Sequence, residues 1–181
     1  MLFMFMHAQS PAQELDIEAL IGAHAGAVKR CAFLCLRDER LAEDMCQEAF
    51  LRLWQNPPGE REPERLRAWL LRVTINLCRD YLRTPWRRRV SPAQYDDLLA
   101  APDGEPLPED EALQLERDEA LYRAVMALPL KYREPIILHY YFDYTQQETA
   151  RMLSIGDSAL RSRLKRARDR LRRALGEEVN A

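Results

Sequence analysis

The stretch Thr145-Gln146-Gln147-Glu148-Thr149-Ala150-Arg151-Met152-Leu153-Ser154-Ile155-Gly156-Asp157-Ser158-Ala159-Leu160-Arg161-Ser162-Arg163-Leu164-Lys165-Arg166-Ala167-Arg168 decides the reading. Thr145 followed three residues later by Glu148 is a capping box, which satisfies the first free N–H groups of a helix. Ala150 is small, as a close helix crossing requires. Ser154-Ile155-Gly156 is a short turn with an apolar residue in its middle, and a second helix opens near Asp157. Helix, short turn, helix is the arrangement in which a second helix enters the major groove of DNA.

The second helix carries Leu160, Leu164, Ala167, Leu171 and Ala174 on one narrow stripe, and Arg161, Lys165, Arg168 and Arg172 on another. From Ala159 to Arg173 there are eight cations and one acid, Asp169. A solvated helix ordinarily interleaves signs to gain pairs four residues apart. Positive charge at this density calls for a polyanion, and neutralising phosphates releases counterions.

Upstream the charge reverses. Residues 91–116 hold eight acids and no Lys or Arg. Residues 90–110 are also rich in Pro and Gly, which predicts a flexible acidic linker. The chain as a whole has a net charge of −2, so its near-neutrality conceals segments suited to different partners. Gly is scarce, and no period-two alternation argues for a sheet. The fold class expected is all-α, with two small helical domains on either side of the linker. The expected bounds are a disordered or loosely docked N-terminus over 1–13, a first domain over 14–90, the linker over 91–110 and a second domain over 111–181.

In the first domain, Ser10-Pro11 looks like a helix start, with the pattern running to Leu36. A polar break, Arg37–Arg40, precedes a helix from about Leu41 to Gln55, which Asn56-Pro57-Pro58-Gly59 stops. A third helix is expected from Pro63 to Arg83. In the second domain, helices are expected over 111–127, 132–142, 145–153 and 157–175.

On the second helix, Cys46, Ala49, Phe50, Leu53 and Trp54 form a stripe that reads as core. Asp44, Gln47, Glu48 and Leu51 form a neighbouring stripe, which is either a solvated face or an acidic, partly apolar dock for a basic helix. On the third helix, Arg65, Arg72, Asn76, Arg79 and Arg83 fall within about 60° of one another at 100° per residue. Trp69 flanks them, and Leu66, Leu70, Val73, Leu77 and Tyr81 face inward. Guanidiniums and an amide along one line suit a phosphate backbone and a base edge, although arginines alone also make an ordinary solvated face.

The cysteines, Cys31, Cys35, Cys46 and Cys78, all lie in helical patterns without Cys-x-x-Cys spacing. That fits reduced thiols in the cytoplasm. A redox or metal sensor at Cys31 and Cys35 is conceivable, but buried Cys is commonly an inert small hydrophobe. The run Met1–Met6 is too short for a membrane span. No catalytic triad, phosphate loop or metal-ligand spacing occurs, so no enzyme activity, cofactor or small-molecule substrate is expected.

Three segments carry a family resemblance. Ala42-Glu43-Asp44-Met45-Cys46-Gln47-Glu48-Ala49-Phe50-Leu51-Arg52-Leu53-Trp54 resembles the polymerase-binding helix of extracytoplasmic-function (ECF) sigma factors. Arg67–Val73 and Asn76–Arg83 resemble that family's segment for melting and reading the minus-ten element. Thr145–Leu164 resembles its minus-thirty-five reader, and Ala127-Leu128-Pro129 and Arg133-Glu134 resemble the helices before it.

The resemblance implies that Asp44, Gln47, Glu48 and Leu51 contact core RNA polymerase. It places Arg65, Trp69, Arg72, Asn76, Arg79 and Arg83 on the opened minus-ten strand, with Asn76 at a flipped base. Arg161, Ser162, Arg163, Lys165 and Arg166 would meet promoter DNA at minus thirty-five. An anti-sigma factor is a further implied partner, and the acidic linker would thread the polymerase cleft. Thr149, Ser154 and Gly156-Asp157 depart from the family's usual Ile, Gly and Pro-Val-like pair, which puts base preference in doubt. The competing expectations are a stand-alone helix-turn-helix regulator and a redox-gated switch.

Overall fold

The computed structural model describes residues 17–59, 62–84 and 119–178. The Ser10 helix start, the acidic linker and residues 111–118 lie outside the described residues. Every regular element among the described residues is helical.

Helix α1 (Ile17–Leu36) stops where Arg37 adopts a positive φ of 60°. The next residue, Asp38, is extended and its carboxylate accepts the Leu41 N–H at 3.0 Å, which caps α2 (Glu39–Gln55). The cap begins α2 two residues earlier than hydrophobic periodicity suggests. A carboxylate receiving a first-turn N–H is the feature that periodicity does not see. Helix α3 spans Pro63–Arg83, as expected, with Pro in its first turn, where a missing N–H costs nothing.

One face of α3 places Leu66, Leu70 and Leu77 against Val28 of α1 and Ala49, Phe50 and Leu53 of α2. Trp54 is not part of this core. It is 68% exposed, which corrects its assignment to the inward stripe. Leu53 already fills the interior position, and a helix of this width cannot turn both neighbours inward.

The opposite face of α3 is also buried. Leu71, Ile75 and Cys78 are at most 1% exposed. They join Cys31 and Cys35 of α1 in one contiguous cluster with Leu128, Tyr132, Ile136 and Leu138 from the second half of the chain. The two halves therefore pack directly on each other. Burying a large apolar side chain contributes roughly 1.5–3 kcal/mol, so this seam is a substantial attraction.

The second half consists of α4 (residues 119–127), α5 (Leu130–Ile136), a π-helical turn (Ile137–Tyr141), α6 (Gln146–Leu153) and α7 (Asp157–Glu178). The single helix expected over 132–142 starts earlier and widens midway. Pro135 has no N–H to offer the carbonyl four residues back. Downstream the pairing slips by one residue, so that the Phe142 N–H reaches Ile137 O at 3.1 Å. The capping box is present: Thr145 Oγ1 accepts the Glu148 N–H, and Glu148 accepts the Thr145 N–H at 2.9 Å.

Between α6 and α7 the left-handed residue is Ser154, with φ 54°, and not Gly156. The Ile155 N–H reaches back to Ala150 O at 3.0 Å, closing a Schellman-type turn. Leu160, Leu164 and Ala167 of α7 are fully buried, and Leu171 and Ala174 are half-buried.

Two positions in this unit carry avoidable cost. Ser154 holds a backbone conformation that glycine adopts without steric penalty. Thr149 is 0% exposed, and its Oγ1 has no hydrogen-bond partner among the described residues. Ser154→Gly is expected to stabilise the chain by up to about 1 kcal/mol, and Thr149→Val by about 1 kcal/mol through loss of an unpaired buried hydroxyl. Urea denaturation followed by circular dichroism reads both. A lowered midpoint for either variant contradicts the corresponding argument.

Candidate nucleic-acid and partner interfaces

The outward face of α2 combines charge with apolar surface. Asp44 and Gln47 are exposed, and Glu48 is half-buried beside Arg52, whose Nε lies 3.0 Å from its carboxylate. Leu51 is 44% exposed, and Trp54 continues the same line one turn further on. Sequence reasoning missed Trp54 as a surface residue. Its spacing of three from Leu51 was the available signal. Glu43 lies to the side and is held by Lys29 at 3.0 Å. The hydrogen bond and charge of that ammonium keep the Glu43 carboxyl below its ordinary value.

On α3, Arg72, Asn76 and Arg83 are exposed, and Arg65 is exposed with its Nε 3.1 Å from Glu62. Trp69 is half-buried, packed against the α1–α2–α3 core. Arg65, Trp69 and Arg72 line a cleft of about 1030 Å³ whose far wall is built from Tyr144, Arg151 and Met152 of the second half. The cleft is lined by an indole and four guanidiniums, the groups that single strands use for stacking and phosphate contact, and also by the carboxylates of Glu64, Asp143 and Glu148.

Arg79 stands apart from this stripe. Its Nε and Nη2 each donate to one oxygen of Glu134 at 2.6 Å, in a two-pronged ion pair between α3 and α5. A third donor reaches Asn76 Oδ1 at 3.3 Å. Glu134 is 1% exposed. Burial raises its carboxyl above the ordinary range while Arg79 pulls it back down, and the same bond raises Arg79. Neighbouring Arg133 is buried too. It donates to Met126 O at 2.6 Å and to Cys35 O at 2.8 Å, again crossing from one half to the other.

On α7, Arg161, Ser162, Lys165 and Arg166 are exposed and Arg163 is half-buried. Hydrogen bonding from Arg166 lowers the Tyr132 phenol below its ordinary value, and Arg170 lies 5.2 Å from the centre of the same ring. Arg172 sits 3.5 Å from Asp169. The basic density read from the sequence therefore faces outward along most of the helix, with Arg163 turned toward the interior side.

Cys31, Cys35 and Cys78 are 0% exposed and mutually close. Hydrogen bonding to Cys35, then burial, pushes the Cys31 and Cys78 thiols well above their ordinary values. Among the described residues no group of His, Cys, Asp or Glu has metal-holding geometry.

Residues 20–88 match the model of Sigma-70 region 2, and residues 118–171 match that of Sigma-70 region 4. The chain is 37% identical over 157 residues to a protein of Xanthomonas campestris pv. campestris described as "Probable RNA polymerase sigma factor RfaY". That match covers 86% of this chain and 39% of the relative, so the chain spans well under half of that protein. It is 31% identical over 160 residues to the ECF RNA polymerase sigma factor SigM of Mycobacterium tuberculosis, covering 88% of this chain and 76% of SigM. Similarity to SigW of Bacillus subtilis is 27% over 165 residues, covering 86% of this chain and 87% of SigW.

The same fold occurs in the sigma factor RpoE, solved in complex with the anti-sigma factor NepR from Bartonella quintana. The TM-score is 0.63 at 21% identity, covering 89% of this chain and 97% of RpoE. CnrH, solved with the cytosolic domain of CnrY, gives 0.59 at 24% identity, with 89% and 88% covered. With an acidic, partly apolar face on α2, an arginine line on α3 and a basic helix after a tight turn, all in the family's order, the chain belongs to the ECF family of RNA polymerase sigma factors.

Proposed function

We propose that this sigma factor works through three surfaces, divided between a first domain at 14–90 and a second at 111–181, with the acidic segment 91–110 as the tether. Asp44, Gln47, Glu48 and Leu51 dock on a basic helix of core RNA polymerase, with Trp54 extending the apolar end. Arg65, Trp69, Arg72, Asn76 and Arg83 hold the opened minus-ten strand, joined by Arg79 when it is released from Glu134. Arg161, Ser162, Arg163, Lys165 and Arg166 address minus-thirty-five duplex. The protein is an initiation factor and not an enzyme, acting in the cytoplasm, where its polymerase is. An anti-sigma factor is a further partner, a reading supported by the complex in which RpoE was solved.

The exposed face of α2 carries this reading. A regulator that only grips duplex has no use for acids beside an uncovered leucine and tryptophan on α2, a helix that carries none of the basic stripe of α7. Exposed apolar residues beside charge mark a protein contact, and buried aromatic anchors dominate such interfaces. DNA affinity comes from the other two surfaces. Tethering two weak sites raises their joint affinity once polymerase fixes the spacing.

Run-off transcription with purified core polymerase on a promoter library tests the assignment. Asp44→Lys with Glu48→Lys is expected to abolish transcripts while leaving the fold intact by circular dichroism, and unchanged transcripts would refute the polymerase dock. Trp54→Ala is expected to weaken core binding by about tenfold or more, as truncating an aromatic anchor does. In holoenzyme binding to promoter duplex, Lys165→Ala is expected to reduce the log–log salt slope by about 0.9, the loss of one phosphate contact. A slope equal to wild type would remove Lys165 from the interface.

A further inference from the structure

We propose that Tyr132 of α5 is a positioning residue that assembles Lys131, Arg166 and Arg170 into a clamp for the phosphate backbone of duplex DNA, beside the residues of α7 that address the minus-thirty-five element. The inference rests on the assignment of α7 to that duplex. Two of the three cations, Lys131 and Arg170, lie outside the set that the family resemblance supplies, and Lys131 comes from a different helix.

The three cations gather on one ring. Lys131 Nζ lies 4.9 Å from the centre of the Tyr132 ring, and Arg170 Cζ lies over the same ring at 5.2 Å. At the hydroxyl, hydrogen bonding from Arg166, joined by the charge and hydrogen bonding of Lys131, lowers the phenol below its ordinary value. Arg166 and Arg170 are four residues apart, so they are neighbours on successive turns of α7. They flank the buried stripe of Leu160, Leu164 and Ala167 on the side opposite Arg161, Lys165 and Arg168.

The support is fixed while its cargo reaches solvent. Tyr132 is 6% exposed and belongs to the apolar core that includes Leu160, Leu164 and Ala167. Lys131, Arg166 and Arg170 are exposed. The neutrality of the support decides what these cations can do. A carboxylate holds a guanidinium and also cancels its charge, as Glu134 does for Arg79. A ring face attracts a cation through its quadrupole, and a phenol oxygen accepts its N–H, yet the positive charge remains. Among the described residues, none of the three forms an ion pair with a carboxylate. Lys and Arg lose more rotamer freedom than most side chains when ordered, so a cation already held in place has less to lose on binding. Placed and uncancelled charge suits a phosphate backbone, which presents the same anions whatever the base sequence.

A salt series tests the clamp. Binding of the holoenzyme is measured on a promoter duplex recovered from the run-off library. Lys131→Ala and Arg170→Ala are each expected to lower the log–log salt slope by about 0.9, one phosphate contact apiece. The factor lost in affinity is expected to be the same on a duplex with a scrambled minus-thirty-five segment, since phosphates carry no sequence. Both positions are exposed, so truncation there leaves the core intact. Tyr132→Leu keeps every cation and removes the support. It is expected to bind about fivefold more weakly, with helicity unchanged and the slope lowered by about 0.9 or more, whereas Tyr132→Phe, which keeps the ring, recovers most of that slope. A fold defect would lower affinity without moving the slope.

A wild-type slope for either Lys131→Ala or Arg170→Ala overturns the three-cation clamp, and a wild-type slope for Tyr132→Leu overturns the positioning role. A loss confined to the intact minus-thirty-five sequence overturns the phosphate assignment. Lys165→Ala, measured alongside, separates the clamp from the functional reading. If it shifts the slope and the clamp variants do not, the clamp alone fails; if none of them shifts it, α7 does not lie on DNA. The same series with the full chain alone on duplex of mixed sequence needs neither polymerase nor promoter, so the clamp is read even where no transcript forms.

Discussion

Among the described residues, Arg79 is paired across the fold with a buried carboxylate, while other cations of the same helices stay at the surface. Arg79 has Glu134. Arg72, Arg83, Arg161 and Lys165 face outward. The rest of the molecule follows from that difference. Where charge is satisfied inside, the helices close over it and exclude water. Where it is not, the positive charge stays at the solvent face. The buried pair is costly to assemble, since both ions lose hydration, and its worth lies in specifying which faces meet more than in net stability.

The three-helix unit of α1, α2 and α3 is what lets α3 serve two masters. Leu66, Leu70 and Leu77 bind it to its own domain, while Leu71, Ile75 and Cys78 present a second apolar face across the seam. An arginine line runs between these two buried stripes. Any substitution that enlarges one stripe narrows the polar strip, which confines Arg65, Arg72, Asn76 and Arg83 to a few positions along α3. Trp69 illustrates the compromise: it is half-buried against the core and still lines the cleft with Arg65 and Arg72.

Much of this was legible in the residues. Pro63 and the Thr84-Pro85 pair bracket α3, and its bounds were read correctly. The Thr145–Glu148 capping box and the apolar stripe of Leu160, Leu164 and Ala167 announced α6 and α7. Other features were hidden for identifiable reasons. Trp54 was taken for core because hydrophobicity alone does not distinguish an exposed position from an interior one. The second buried face of α3 was invisible because much of its cover comes from the second half of the chain, as Glu134 does for Arg79 from 55 positions away. Ser154, noted in the sequence as standing where the family usually has Gly, carries the left-handed backbone of the turn. Arg79 was grouped with its neighbours by helical angle and by the family resemblance, and only the fold reveals its separate engagement.

The widened turn after Pro135 has an effect beyond α5. One additional residue in a helical turn advances everything after it by about a quarter of a revolution. It is this offset that carries Tyr141 toward Arg30 and Phe142 toward Arg67. The orientation of the aromatic corner is thus set by main-chain phase. Exchanging one aromatic for another there would preserve the docking pose, whereas removing a single residue from 137–141 would swing the corner away from α1 and leave its ring faces without their cations.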